Sequence, residues 1–357
     1  TWGGLVAGIL FVLPSLFILL GLSITYVTFG KMAWVAAMFY GLKPAVVAIV
    51  VLALLKIGKK SLLSPFHIIV AIASFIGIFF FNISFPVIIL TAILVGIAGR
   101  KLFPDFFSLP PTSKAVLQQE EQYYLNAQTT PISTEDHGKR VALQVALGIL
   151  LWLIPVGLFF AFRADYNFWI HLITFFSKAA FVTFGGAYAV LPYVAQESVE
   201  KFHWLSSLEM IDGLALGETT PGPLIMVLVF VGFMAGYHHG GASLLDGTLG
   251  LLTTTYYTFL PCFLFILIGA PIVERTKDNH QLKTLLAIVT ASVVGVVLNL
   301  TIYFGKAVAF PQGIAAQPDW FAISWICISL LALHRFRINM ILWIGISATT
   351  GFLWWLI

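Results

Sequence analysis

Eleven apolar runs make up most of this chain, at about residues 5–27, 32–55, 66–81, 85–98, 141–162, 168–192, 208–235, 249–273, 282–304, 321–333 and 338–357. Most approach the roughly 20 residues that a helix needs to cross the hydrocarbon of a bilayer. Lipid offers no water to unpaired backbone N–H and C=O groups, so runs of this length have to close their hydrogen bonds internally, as helices. The expected fold class is an all-α, polytopic membrane protein of about eleven helices. Composition agrees: 60% of the 357 residues are hydrophobic and 10% are charged. The mean hydropathy of +0.98 lies far above that of a soluble domain. The runs at 66–81 and 85–98 are short, which suits thin spans or an incomplete hairpin turning at Asn82–Ser84.

Loop charges give the orientation. Lys56, Lys59 and Lys60 share one loop, and Arg100, Lys101, Lys139 and Arg140 flank a polar segment at 100–140. The positive-inside rule places both in the cytoplasm. Counting onward puts the Arg163–Asn167 loop outside, the connector from Glu197 to His203 inside, and the loop from His238 to Asp246 outside. Arg275, Lys277, Lys283, Arg335 and Arg337 then fall inside. The segment 100–140, with acids and prolines and little to bury, reads as a solvated linker between two units, 1–99 and 141–357. The small net charge of +4 bears on loop topology and gives no expectation of nucleic acid. Cys262 and Cys327 lie in apolar runs with no metal spacing around them.

One stretch, 181–236, is apolar yet interrupted twice, at Phe184-Gly185-Gly186 and at Glu218-Thr219-Thr220-Pro221-Gly222-Pro223. Each proline lacks an N–H and its ring collides with the carbonyl four residues back, so the helix breaks there. A fresh helix after Pro223 opens with unpaired amides and a positive dipole end, which favours an anion. Open backbone survives in lipid only when buried in protein or lining a cavity. The expected cradle comprises Thr219, Thr220, Gly222 and the amides of Leu224 and Ile225, with Gly185 and Gly186 as its facing half. A simple proline kink, and close helix packing at the glycines, are the plainer readings. Lys43 lies within an apolar run, where an ionisable group points to function. It would neutralise an anion or pair with a carboxylate such as Glu218, unless it snorkels to an interface. Glu218 and Asp212 are the expected proton-coupling groups, because a low-dielectric surrounding favours the protonated carboxylate.

The chain also hints at a repeat. FVLPSLFILLGL, beginning at Phe11, resembles TFLPCFLFILIG, beginning at Thr258, aligned through Leu13-Pro14 and Leu260-Pro261. The charge count runs these two helices in opposite directions, the pattern of two inverted-topology repeats with broken helices found in many secondary transporters. On this reading the broken-helix pair of the first half lies upstream of Thr1, so 1–99 is the later part of that half.

The stretch FGGAYAVLPYVAQESVEKFHWLSSLEMIDGLALGETTPGPLIMVLVFVGFMAG resembles the second-half signature of the chromate ion transporter family. The segment from Gly3 to Gly99, with FVLPS and GLKPAV, is similar to the later part of that family's first half. The resemblance implies a multi-pass protein of the bacterial inner membrane that exports chromate, driven by the proton motive force. The implied partners are a chromate or sulfate-like oxyanion, protons and the lipid bilayer, with a homodimer left open; no cofactor, metal or enzymatic role is implied. Two alternatives stay open. One is a permease for sulfate or another oxyanion. The other is a membrane-embedded enzyme acting on lipid phosphate, against which stands the lack of a nucleophile motif.

Overall fold

The computed structural model describes residues 2–102, 137–183, 186–276, 280–313, 315 and 317–357. Most of the expected linker, and Gly185 of the expected cradle, lie outside the described residues. Thirteen α-helices, with no strand, run through the described residues. The first four are α1 (Trp2–Phe29), α2 (Ala33–Ser61), α3 (Pro65–Phe81) and α4 (Phe85–Leu102). Then come α5 (His137–Phe162), α6 (Tyr166–Val182), α7 (Ala187–Ala195), α8 (Ser207–Thr219) and α9 (Val227–His239). The chain closes with α10 (Leu244–Thr276), α11 (His280–Ala309), α12 (Trp320–Leu330) and α13 (Met340–Leu356). Helices α1, α2, α5, α10 and α11 are long and apolar enough to cross a membrane, and α3, α4 and α13 are shorter apolar helices. The protein is an all-α, polytopic membrane protein.

Local chemistry sets several ends. Ser64 caps α3 by accepting from the His67 N–H, with Pro65 at the first helical position. The helix stops at Asn82, which takes a left-handed conformation, so the expected turn before α4 is present. Ser206 and Glu209 form a capping box that starts α8.

The count rises from eleven to thirteen because the runs at 168–192 and 208–235 are each two helices. The chain leaves α6 at Thr183 and re-enters helix after Gly186, and it leaves α8 at Thr220 and re-enters through a 3₁₀ turn, Leu224–Met226, into α9. Each pair is antiparallel. Phe175 of α6 meets Tyr193 of α7 with ring centroids 5.3 Å apart, while Phe168, near the start of α6, meets Trp204 at 6.2 Å. On the second pair, Gly213 faces Phe230 and Gly217 faces Val227, and toward the other end Glu209 lies 3.7 Å from His238. These are two helical hairpins whose tips are the two breaks.

This geometry corrects the expected topology. The connector from Glu197 to His203 was expected inside, opposite the loops at 163–167 and 238–246. Instead, the His238 Nδ1 donates to the Trp204 carbonyl at 2.7 Å, and the His239 ring stacks on Phe168 at 3.8 Å. Arg163 bridges to Asp246 and Asp165, and His239 lies 3.1 Å from Asp165. Burial alone would raise the Asp165 carboxyl, but hydrogen bonds and charge from Arg163 and a bond from Trp169 hold it below the usual carboxylate range. All three segments therefore share one face, away from Lys56 and Lys60, which is the face that the positive-inside rule assigns to the outside. Helices α8 and α9, at 13 residues each, extend about 20 Å, short of the roughly 30 Å hydrocarbon core. They dip in and return.

The hairpins sit in the centre of the molecule. Every residue of α9 from Val227 to Gly236 is buried, and the main hydrophobic core joins it to α6, α7, α8 and α11. Around this centre α2 packs on α11, α12 and α13, while α11 packs on α2, α3 and α4.

Candidate functional site

The sequence-predicted residues fall into two clusters, both on α8. The first is the meeting of the two hairpin tips. Gly186 precedes α7 with φ +112°, a conformation that L side chains rarely adopt, and it is exposed. Two residues on, the Tyr188 hydroxyl donates to Glu218 Oε1 at 2.6 Å, tying the tip of the first hairpin to the last turn of α8. Glu218 is 5% exposed, and its Oε2 has no hydrogen-bond partner among the described residues. Gly222, with φ +131°, turns the second tip, and a Cβ there would run into the Ser15 side chain of α1. Ser15 in turn donates to the Pro221 carbonyl. The break is thus pinned against a neighbouring helix and is more than a bend in one.

The threonines behave differently from expectation. Thr219 and Thr220 both donate to the Leu216 carbonyl at 2.8 Å, the habit of threonines at a helix end. Their hydroxyl protons are committed to the helix, so the predicted donation to an oxyanion needs both rotors to turn. Leu224 and Ile225 open the 3₁₀ turn after Pro223, where no preceding helical turn receives their amides. Pro221 and Gly222 are exposed, so the tip is reachable from outside the protein core.

The second cluster lies higher on α8. Lys43 Nζ, from the middle of α2, stands 3.3 Å from Asp212 Oδ1, and the Tyr26 hydroxyl of α1 donates to Oδ2 at 2.9 Å. Lys43 therefore finds a carboxylate, as the sequence allowed, but the carboxylate is Asp212 and not Glu218. The lysine side chain is 19% exposed and that of Asp212 is 5% exposed, so neither snorkels to water. A charge pair this dry persists because each charge answers the other and Tyr26 fills a further lone pair.

Beneath the first tip lies a cavity of about 450 Å³, lined by Gly186 and Tyr188, by Lys56, Lys60 and Ser61 at the end of α2, and by Thr290 of α11. Two cations, a helix start and hydroxyls face one space on the lysine-rich side of the protein. That combination is chemically suited to an oxyanion. Sequence reading missed Tyr26, Tyr188 and Ser15. Each carries a hydroxyl in an apolar run, and such groups are visible only as packing residues until their partners are known. It used Lys56 and Lys60 for orientation alone.

Comparison with known proteins follows the same line. The family profile described as Chromate transporter matches residues 1–97 and 170–352. The chain is 31% identical to a chromate transport protein of Pseudomonas aeruginosa, over 86% of this chain and 65% of the relative. It is 27% identical to a chromate transport protein of Cupriavidus metallidurans, over 85% and 65%. An uncharacterized transporter of Methanocaldococcus jannaschii is 25% identical over 98% and 76%. The chain thus spans a little under two thirds of the length of the chromate transport proteins it matches. No solved structure matches it.

Proposed function

The chain belongs to the chromate transporter family, and from that premise we propose that it moves chromate, a tetrahedral dianion shaped like sulfate, out of the cell through the hairpin tips. The carrying observation is the meeting of the two tips at Tyr188 and Glu218 above a cavity lined by Lys56 and Lys60. The lysines gather the dianion from the cytoplasm. Gly186, Gly222 and the amides of Leu224 and Ile225 let it approach open backbone, and rotation of Thr219 and Thr220 adds two donors. Glu218 repels a dianion while charged and accommodates it once protonated, so its protonation gates anion binding; for export driven by the proton motive force, that proton returns to the cytoplasmic side and does not leave with the dianion. Asp212 plays the parallel part higher up, since a proton on it loosens its hold on Lys43.

The two-unit organisation, 1–99 and 141–357, fits this scheme. In the register that aligns the two Leu-Pro pairs, Gly41 corresponds to Ile288. A Cβ on Gly41 would strike the backbone of Gly351 in α13, and one on Gly96 in α4 would press on Ile288 at 3.0 Å. Counting from the helix starts, Gly96 and Gly351 hold the same place in α4 and α13. Helix α2 therefore lies against α13, and its counterpart α11 against α4, at equivalent positions, which supports inverted repeats that exchange partners across the molecule.

The test is chromate accumulation in cells expressing the protein, with and without sulfate and with and without a proton gradient. Lower accumulation than in control cells, lost when the gradient is dissipated, is expected. Higher accumulation that sulfate suppresses would mean an importer of sulfate-like anions instead.

A further inference from the structure

A second cavity lies at the other end of α7. It measures about 430 Å³ and is lined by Asn82 in the α3–α4 turn, by Gln196 and Glu200 after α7, and by Asn299, Tyr303 and Lys306 of α11. Asn82, Glu200 and Lys306 are exposed, so this cavity opens to the outer face, opposite Lys56 and Lys60. Both cavities are walled by the same two elements. The inner one reaches Tyr188 on α7 and Thr290 on α11, and the outer one begins at Pro192 and Asn299. What separates them on α7 is Ala189, Val190 and Leu191, less than one helical turn, or about 6 Å between the bounding residues. On α11 the bounding residues, Thr290 and Asn299, stand about 14 Å apart, and the stretch between them contributes Val293, Val296 and Val297, all fully buried.

We propose that the outer cavity is an oxyanion release site, and that the anion's path runs along the α7–α11 seam through this aliphatic barrier. The inference rests on the oxyanion reading of the hairpin tips and adds a site that reading does not contain. Lys306 supplies the charge, and the amides of Asn82, Gln196 and Asn299 and the Tyr303 hydroxyl supply neutral donors suited to tetrahedral oxygens. Glu200 shares the cavity and opposes the anion. One cation against one carboxylate makes a weak site, which is what release into the medium requires. The inner cavity, with two lysines and no carboxylate in its lining, is the stronger. The pathway thus descends from tight to loose toward the outside.

The experiment uses the full chain in intact cells, with Cys262 and Cys327 replaced by serine and Asn299→Cys introduced. A membrane-impermeant maleimide added outside should label this cysteine, and external sulfate should slow the labelling. Adding Lys306→Gln should remove that protection, whereas Glu200→Gln should strengthen it severalfold. In parallel, chromate efflux by cells with native Asn299 should be inhibited by external sulfate in the Glu200→Gln variant more strongly than in wild type. Labelling that sulfate does not slow in any of these backgrounds overturns the outer site, even if efflux is normal. Sulfate protection that depends on Lys306 without chromate efflux would keep the site and overturn the transport reading.

Discussion

At the scale of single residues, the site depends on a few groups that have no substitute. Gly222 holds φ +131° and faces Ser15 so closely that any Cβ collides with it. A side chain forced into such a conformation costs about 1–3 kcal/mol. Gly222→Ala should therefore lower the melting temperature of the detergent-purified protein and abolish chromate efflux. Melting and efflux like wild type would show that the tip is not pinned as described. The glycine was legible in the sequence because proline and glycine declare their backbone needs locally. Its partner was not, because Ser15 is one hydroxyl in an apolar helix 207 residues away, and nothing local says where that hydroxyl goes. Tyr188 and Glu218 repeat the lesson: the carboxylate was singled out for its depth, while the tyrosine that binds it looked like an ordinary apolar-run aromatic.

At the scale of elements, α8 is held on two sides by polar contacts that cross the core. Tyr26 and Lys43 fix its upper part to α1 and α2, and Tyr188 fixes its end to α7. Removing one partner of a buried charge pair leaves the other uncompensated and costs about 3–5 kcal/mol, whereas removing both costs much less. Lys43→Met and Asp212→Asn should each destabilise the protein in thermal unfolding, and the double variant should melt above Lys43→Met. A double variant that melts at or below Lys43→Met would mean that the pair is not the contact that matters. The sequence singled out both charges as candidates, Lys43 for its place within an apolar run and Asp212 for its nearness to the break. It could not match them, because pairing depends on how α2 crosses α8, and that crossing is a product of side-chain packing and not of periodicity.

At the scale of the whole molecule, the apolar runs were sufficient for the class. They were insufficient for the centre. Two spans cross the membrane twice and two same-sided hairpins cross it not at all, yet both leave the following helix pointing the same way. Loop charges cannot tell an even number from zero, so the charge count closed on a path the chain does not take. The distinction lies in how α8 folds back on α9 through Gly213 and Gly217, where small size lets Phe230 and Val227 approach. It can be checked directly. With Cys262 and Cys327 replaced by serine, Lys201→Cys, on the connector, should react with a membrane-impermeant maleimide added to intact cells. Reaction only after permeabilisation would restore the two-span path. The barrier of Ala189, Val190 and Leu191 has an electrical consequence as well. Where aqueous cavities reach in from both faces, the membrane voltage falls mainly across what remains between them, here about 6 Å along α7 and about 14 Å along α11. A dianion that passes this step crosses most of the field at once, which at about 2.3 kcal/mol per charge per 100 mV amounts to roughly 4.6 kcal/mol. In a cell that is negative inside, that energy points outward, which is the direction of the transport proposed above.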